Sequence, residues 1–366
     1  MVKENHPQAA TYATSQVLPQ WIEAFKQILS TSPTSPTNPA DWRSLHVRNE
    51  IFSTLSTILV SFPKSLTGHA DVLLTYAAQH LSTLSTPFRA TCLNDELDTD
   101  FSLEAEDTST LTLSQVASNI FLFIASAARR PAGRTSILQK DNDNSQVPTE
   151  LFNEITCLAF FYAQMTTEDE ERWSSDVNAF VADEDDEIPA ATLRTAALDL
   201  ISGFTNAFLA PTVSTLSVAV QRTVQQAQAL HGQTAQDWWK GYESCLTHLS
   251  SIAEELEEQN EAAKEQGKPS PFDLESAFET LVVPFLSRSG ELGKSTSHSG
   301  FGLMHVPCSA PMPKTYPFYK VELLSSPVDS QRNSHSMCNS SSSSLLCRQS
   351  SLRRSAWSSR YPPFEL

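Results

Sequence analysis

LRTAALDLISGFTNAFLAPTVSTLSVAVQRTV, residues 193–224, places Leu193, Ala196, Ala197, Leu200, Ile201, Phe204 and Phe208 at i, i+3, i+4, i+7 spacing before Pro211 opens a second apolar series, Val213, Val220 and Val224. Helical periodicity broken once by a proline predicts two helices folded back on each other as a hairpin. Neither helix can bury its stripe alone.

The same grammar extends in both directions. Leu18, Trp21, Ile22, Phe25 and Leu29 form one stripe. Val47, Ile51, Leu55, Ile58 and Phe62 form a second, preceded by Asn38-Pro39, a cap followed by a first-turn proline. A third covers Val72 to Leu84, and a fourth, Val116, Ile120, Ile124 and Ala127, is separated by a polar loop from a fifth, Leu151, Ile155, Leu158, Tyr162 and Met165. After the hairpin, Gly232 marks a stop. Thr234 with Asp237 resembles a capping arrangement for Trp238, Tyr242, Cys245, Leu249 and Ile252. Ser270-Pro271 opens a last helix through Leu274, Phe278, Leu281 and Phe285. Successive helices with short connections predict an all-α, HEAT/armadillo-like helical solenoid of antiparallel helix pairs over residues 1–286; an ordinary helical bundle fits the same pattern. Residues 287–366 are Ser-rich, Pro-punctuated and net basic, and their composition predicts a disordered tail.

Composition narrows the function. The net charge of −17 disfavours nucleic acid and anionic membrane as main partners and favours basic proteins. No apolar run approaches the roughly 20 residues of a membrane span, and the amino-terminal residues hold no signal core, so a soluble protein of cytosol and nucleus is expected, without membrane insertion. The six cysteines form no CxxC pair, which points to reduced, idle thiols. His46, His69, His80, His231 and His248 are scattered outside any metal spacing, and the chain holds no phosphate-binding glycine loop and no GxSxG elbow. The expectation is a protein that is not an enzyme and has no cofactor, metal or catalytic residue.

The candidate functional elements are acidic. One lies at about residues 94–109 and another at about 167–188; a third cluster, Glu254 to Glu261, reads as the exposed end of a helix. In the second, ten carboxylates, Glu168, Asp169, Glu170, Glu171, Asp176, Asp183, Glu184, Asp185, Asp186 and Glu187, stand against the single cation Arg172. A solvated loop is one reading of such density; a docking surface for basic protein is the other. Trp173 and Phe180 within it either anchor the loop or touch a partner.

Here the chain resembles a known family. Met165 through Trp173, Phe180-Val181 and Asp183 to Glu187, followed by the helix Thr192-Leu193-Arg194-Thr195-Ala196-Ala197, are similar to the central region of importin-9-type members of the importin-β (karyopherin-β) superfamily. Asp237-Trp238-Trp239-Lys240 with Glu243-Ser244-Cys245 resembles the family's Trp-Trp-Lys helix, and Leu18-Pro19-Gln20-Trp21 and Ser61-Phe62-Pro63-Lys64 are also similar. The likeness runs over about residues 10–286.

The resemblance implies a superhelix of HEAT repeats and import of basic cargo such as histones or ribosomal proteins. It further implies release by the GTPase Ran, contacts with nucleoporins, and shuttling between cytosol and nucleus. By the same analogy the partner-binding residues are Trp173 and the ten carboxylates. Against the family pattern the chain starts several repeats in and departs after Leu286, so a central fragment with a non-family tail, or a truncated gene product without autonomous function, is the expectation. A stand-alone acidic scaffold or chaperone for basic proteins is the competing reading.

Overall fold

The computed structural model describes residues 7–33, 39–94, 111–175, 192–231, 237–273, 275–277 and 279–282. The readings at Asn38, Phe180, Gly232, Thr234, Leu274, Phe278, Phe285 and the 287–366 tail fall outside them. The chain divides into two units, 1–320 and 321–366, and every described residue belongs to the first.

That unit is a succession of helices. α1 (Pro7–Tyr12) passes through a π-helical turn, Ala13–Val17, into α2 (Leu18–Leu29); α3 (Pro39–Ser61) and α4 (Ala70–Phe88) follow. Pro87 lacks the N–H that α4 would use in its last turn, and the backbone widens into a second π-helical turn, Arg89–Leu93. Then come α5 (Leu113–Ala128), α6 (Pro131–Ile137), the hairpin of β1 (Leu138–Lys140) and β2 (Gln146–Pro148), and α7 (Glu150–Tyr162). α8 (Thr167–Ser175), α9 (Leu193–His231), α10 (Trp238–Ser251) and α11 (Ala253–Glu265) complete the described elements. Thr112 and Thr149 cap α5 and α7 by accepting from Gln115 N and Phe152 N, at 3.1 and 3.4 Å.

The main helix contacts are α3 on α5, α5 on α4 and α9, and α9 on both α7 and α10, with α4 also on α6 and α7. α9 is two helices joined at Phe208, whose φ of −147° and ψ of 55° are not helical, three residues before Pro211. Arg194 reaches the Ala163 carbonyl at the end of α7, and Phe204 and Phe208 meet Phe152 at its start. Thr156 then bonds Thr215 on the second half. The chain therefore goes out along α7 and returns, which is the hairpin read from the sequence. By length and composition Leu193–Leu230 is apolar enough to cross a membrane, but it is broken at Phe208 and buries Thr205, Thr212 and Thr215 in the core.

The core is continuous and rich in rings. Tyr162 packs on Phe88, Phe121 and Phe161 and donates its hydroxyl to Leu81 O at 2.7 Å. A device recurs at helix carboxyl ends, where unpaired carbonyls concentrate partial negative charge: a cation from a later helix donates to them. Arg48 reaches Thr31 O at 3.1 Å, Arg130 Leu59 O at 3.3 Å, Arg194 Ala163 O at 2.7 Å and Lys240 Leu93 O at 2.8 Å.

Four expectations need correction. The polar loop between the fourth and fifth stripes holds α6 and the β-hairpin, because Pro131 starts a helix and Asn144, at a φ of 60°, turns the strands. The Glu254 cluster does not continue α10; Ile252 breaks the helix and α11 starts afresh. Asp237 precedes α10 without a side-chain cap, its carboxylate lying 3.5 Å from Arg89 instead. Trp21 and Val47, counted in core stripes, are 52% and 47% exposed.

Candidate functional site

Glu168, Asp169, Glu170, Glu171 and Trp173 all lie on or at the face of α8, while Asp176, Asp183, Glu184, Asp185, Asp186 and Glu187 fall outside the described residues. The local sequence explains why α8 forms where it does. Thr166 caps it by accepting from Asp169 N at 3.2 Å, and Asp169 Oδ2 in return accepts from Thr166 N and Thr166 Oγ1 at 3.2 and 2.7 Å. Asp169 also lies 3.6 Å from Arg172, whose guanidinium sits over the Trp173 ring. Asp169 is thus a folding residue.

Glu170 is likewise engaged. Its carboxylate lies 3.3 Å from Lys240 Nζ, on a side chain only 3% exposed that reaches up from α10 and also bonds Leu93 O. Thr167 Oγ1 donates to the neighbouring Cys92 carbonyl at 3.3 Å. Cys92 and Cys157 are half-buried, Cys245 is buried, and burial pushes all three thiols up. The second π-helical turn, the start of α8 and the Trp238-Trp239-Lys240 turn of α10 are therefore fastened at one point. Glu168 and Glu171 remain exposed, with Trp173 half-buried beside them.

The connection continues inward. Arg194 forms a two-pronged pair with Glu243, NH1 to Oε2 at 3.0 Å, and bonds Thr247 at 3.1 Å. Ser244 Oγ bonds Phe160 O, and His248 stacks on Phe160 with centroids 4.0 Å apart. His80 sits edge-on to Phe52. Burial holds the imidazoles of His80 and His248 down at about 4 and about 3, which marks them as neutral core residues. In the sequence, Lys240 and Glu243 stand out only as part of the Trp-Trp-Lys motif. A lysine between two tryptophans and a glycine, on the buried face of a helix, is the signal that it must find a carboxylate or carbonyl inside.

No group of three His, Cys, Asp or Glu side chains among the described residues is placed to hold a metal. The space beside Arg89, Gln164, Thr223, Trp238 and Gly241 is about 10 Å³, one water's worth. What this arrangement offers is an acidic helix on a fixed mount.

The fold is that of a helical-repeat protein, with an acidic helix held on its surface. Residues 146–283 match the family model of Importin-9 central HEAT repeats. That stretch is an importin-9-like HEAT-repeat region, and it contains α7 to α11 with both the acidic helix and its Lys240 mount. The family is one of transport receptors.

Proposed function

We propose that this chain acts as an importin-type receptor segment that takes up basic proteins, such as histones or ribosomal proteins, between cytosol and nucleus, with release governed by Ran and contact to nucleoporins. The observation that carries the reading is the mounting of α8. Glu168 and Glu171 point to solvent from a helix whose own polar needs are met by Thr166, Asp169 and Lys240. Individual exposed ion pairs contribute about 0–1 kcal/mol, so recognition rests on the summed field of the acidic stretch, which includes Asp176, Asp183, Glu184, Asp185, Asp186 and Glu187. Recognition is by charge and shape without bond chemistry.

The test is binding of a core histone dimer at low and physiological salt, with and without GTP-loaded Ran. Salt-sensitive binding that Ran reverses supports a receptor. Salt-sensitive binding indifferent to Ran supports the acidic scaffold instead, and absence of binding at low salt contradicts both.

A further inference from the structure

α2 has two apolar faces. Leu18, Ile22 and Leu29 are buried, whereas Trp21, Phe25 and Ile28 form a second row at i, i+4, i+7 in which half-buried Phe25 packs against the core and Trp21 and Ile28 are 52% and 37% exposed. α3 faces it with Val47, Ile51 and Thr54, again at i, i+4, i+7, of which Val47 is 47% exposed and Ile51, at 4%, forms the floor; His46 and Glu50 complete the lining. Between these rows runs an open groove of about 260 Å³. Small-molecule pockets are larger, about 300–1,000 Å³, and enclosed. A groove between two rows of helical side chains is instead suited to the ridge of a third helix.

The groove carries a placed charge. Glu50 lies on its wall, exposed, and its carboxylate accepts from Asn49 Nδ2 at 3.3 Å. Asn49 is 4% exposed and is fixed in turn by Asn119 Nδ2 at 2.8 Å. An amide relay that reaches back to half-buried Asn119 on α5 thus orients an acid beside a trough whose other lining is Phe25, Ile28, Val47, Ile51, His46 and Thr54.

We infer that the groove between α2 and α3 docks an amphipathic helix of a basic partner protein, its apolar row lying between Ile28 and Val47 over a floor of Phe25 and Ile51, and a Lys or Arg meeting Glu50. This rests on the proposed uptake of basic proteins and adds a second, salt-resistant contact to it. A second copy of the chain is the poorer occupant, because it would bring Glu50 and a net charge of −17 against the same.

The experiment uses the full chain and a designed helical peptide of about 15 Leu and Lys residues with one apolar face, long enough to hold helix on docking. Val47→Asp, at a site 47% exposed, is the groove variant, its folding checked by urea unfolding, and Val60→Asp, 72% exposed and outside the groove, is its control. Both add one negative charge, so bulk attraction for the peptide rises equally in each. The inference expects Val47→Asp to weaken binding by about tenfold or more through faster dissociation, with Val60→Asp binding at least as tightly as the native chain. Glu50→Gln should weaken it too, and a Leu/Glu peptide should not bind. Equal binding by Val47→Asp and Val60→Asp overturns the inference, as does dimerisation of the chain that Val47→Asp abolishes. Glu168→Gln with Glu171→Gln separates the two readings: it should slow association of a histone dimer while leaving the peptide's dissociation rate unchanged.

Discussion

Lys240 Nζ donates to the carbonyl of Leu93, 147 residues earlier in the chain, at 2.8 Å, and in the same position lies 3.3 Å from the carboxylate of Glu170. One buried side chain thereby joins the end of the second π-helical turn to the acidic helix. Lys240→Met should cost about 1.5–3 kcal/mol, the range for hydrogen bonds to charged groups, measured by urea unfolding. Glu170→Gln should cost less than about 1 kcal/mol, since that carboxylate is 41% exposed and Leu93 still holds Lys240.

The Arg194–Glu243 pair behaves differently because both side chains are largely enclosed, 15% and 10% exposed. Removing one partner leaves the other charged and buried, so Arg194→Leu should destabilise by about 3–5 kcal/mol. The double variant Arg194→Leu with Glu243→Leu should recover part of that loss. A thermal melt in which the double variant is no more stable than the single one would contradict this account of the pair.

Much of this was legible in sequence, for a definite reason. Leu193 to Phe208 and Val213 to Val224 declare helices through spacing, and Pro211 declares the break, because both signals are local. Trp21 and Val47 were misplaced for the opposite reason: periodicity identifies an apolar row but not what covers it, and α2 has two such rows. Short α6 has too few residues to show a period, and the 138–148 hairpin hides in polar turn residues. In the candidate site, density of charge pointed to Glu168, Asp169, Glu170 and Glu171. Charge density alone could not tell that Asp169 is spent on the local cap with Thr166, nor that Glu170 is spent on Lys240, a partner fixed by tertiary contact.

Acid should loosen the core through its histidines. The folded-state values of about 3 for His248 and about 4 for His80 lie below the ordinary 6.5, so the unfolded chain binds protons that the folded one refuses. Their contribution is therefore complete above about pH 6.5 and is lost as pH falls toward 4 and then 3. Urea midpoints taken between pH 7 and 4.5 should fall, and the fall should be shallower in His248→Phe, which keeps the ring stacked on Phe160.

Gly133 is required by space. A Cβ there would stand 2.1 Å from Ala127 O and 2.6 Å from Ala127 C, both backbone atoms that cannot swing aside at the α5–α6 corner. Gly133→Ala should therefore cost more than the roughly 1–3 kcal/mol of ordinary overpacking, whereas Gly68→Ala, with nothing within 4 Å, should be tolerated. Unfolding midpoints of the two variants measured side by side decide it.

The central claim, that a mounted acidic stretch recruits basic protein, is tested most directly by the association rate of a core histone dimer in stopped flow at low salt. The comparison is the native chain against a variant with Glu168, Glu171, Asp183, Glu184, Asp185, Asp186 and Glu187 changed to their amides. Association slowed by about tenfold or more, with the difference vanishing as salt rises, is the predicted result. An association rate the same for both proteins at low salt would contradict it.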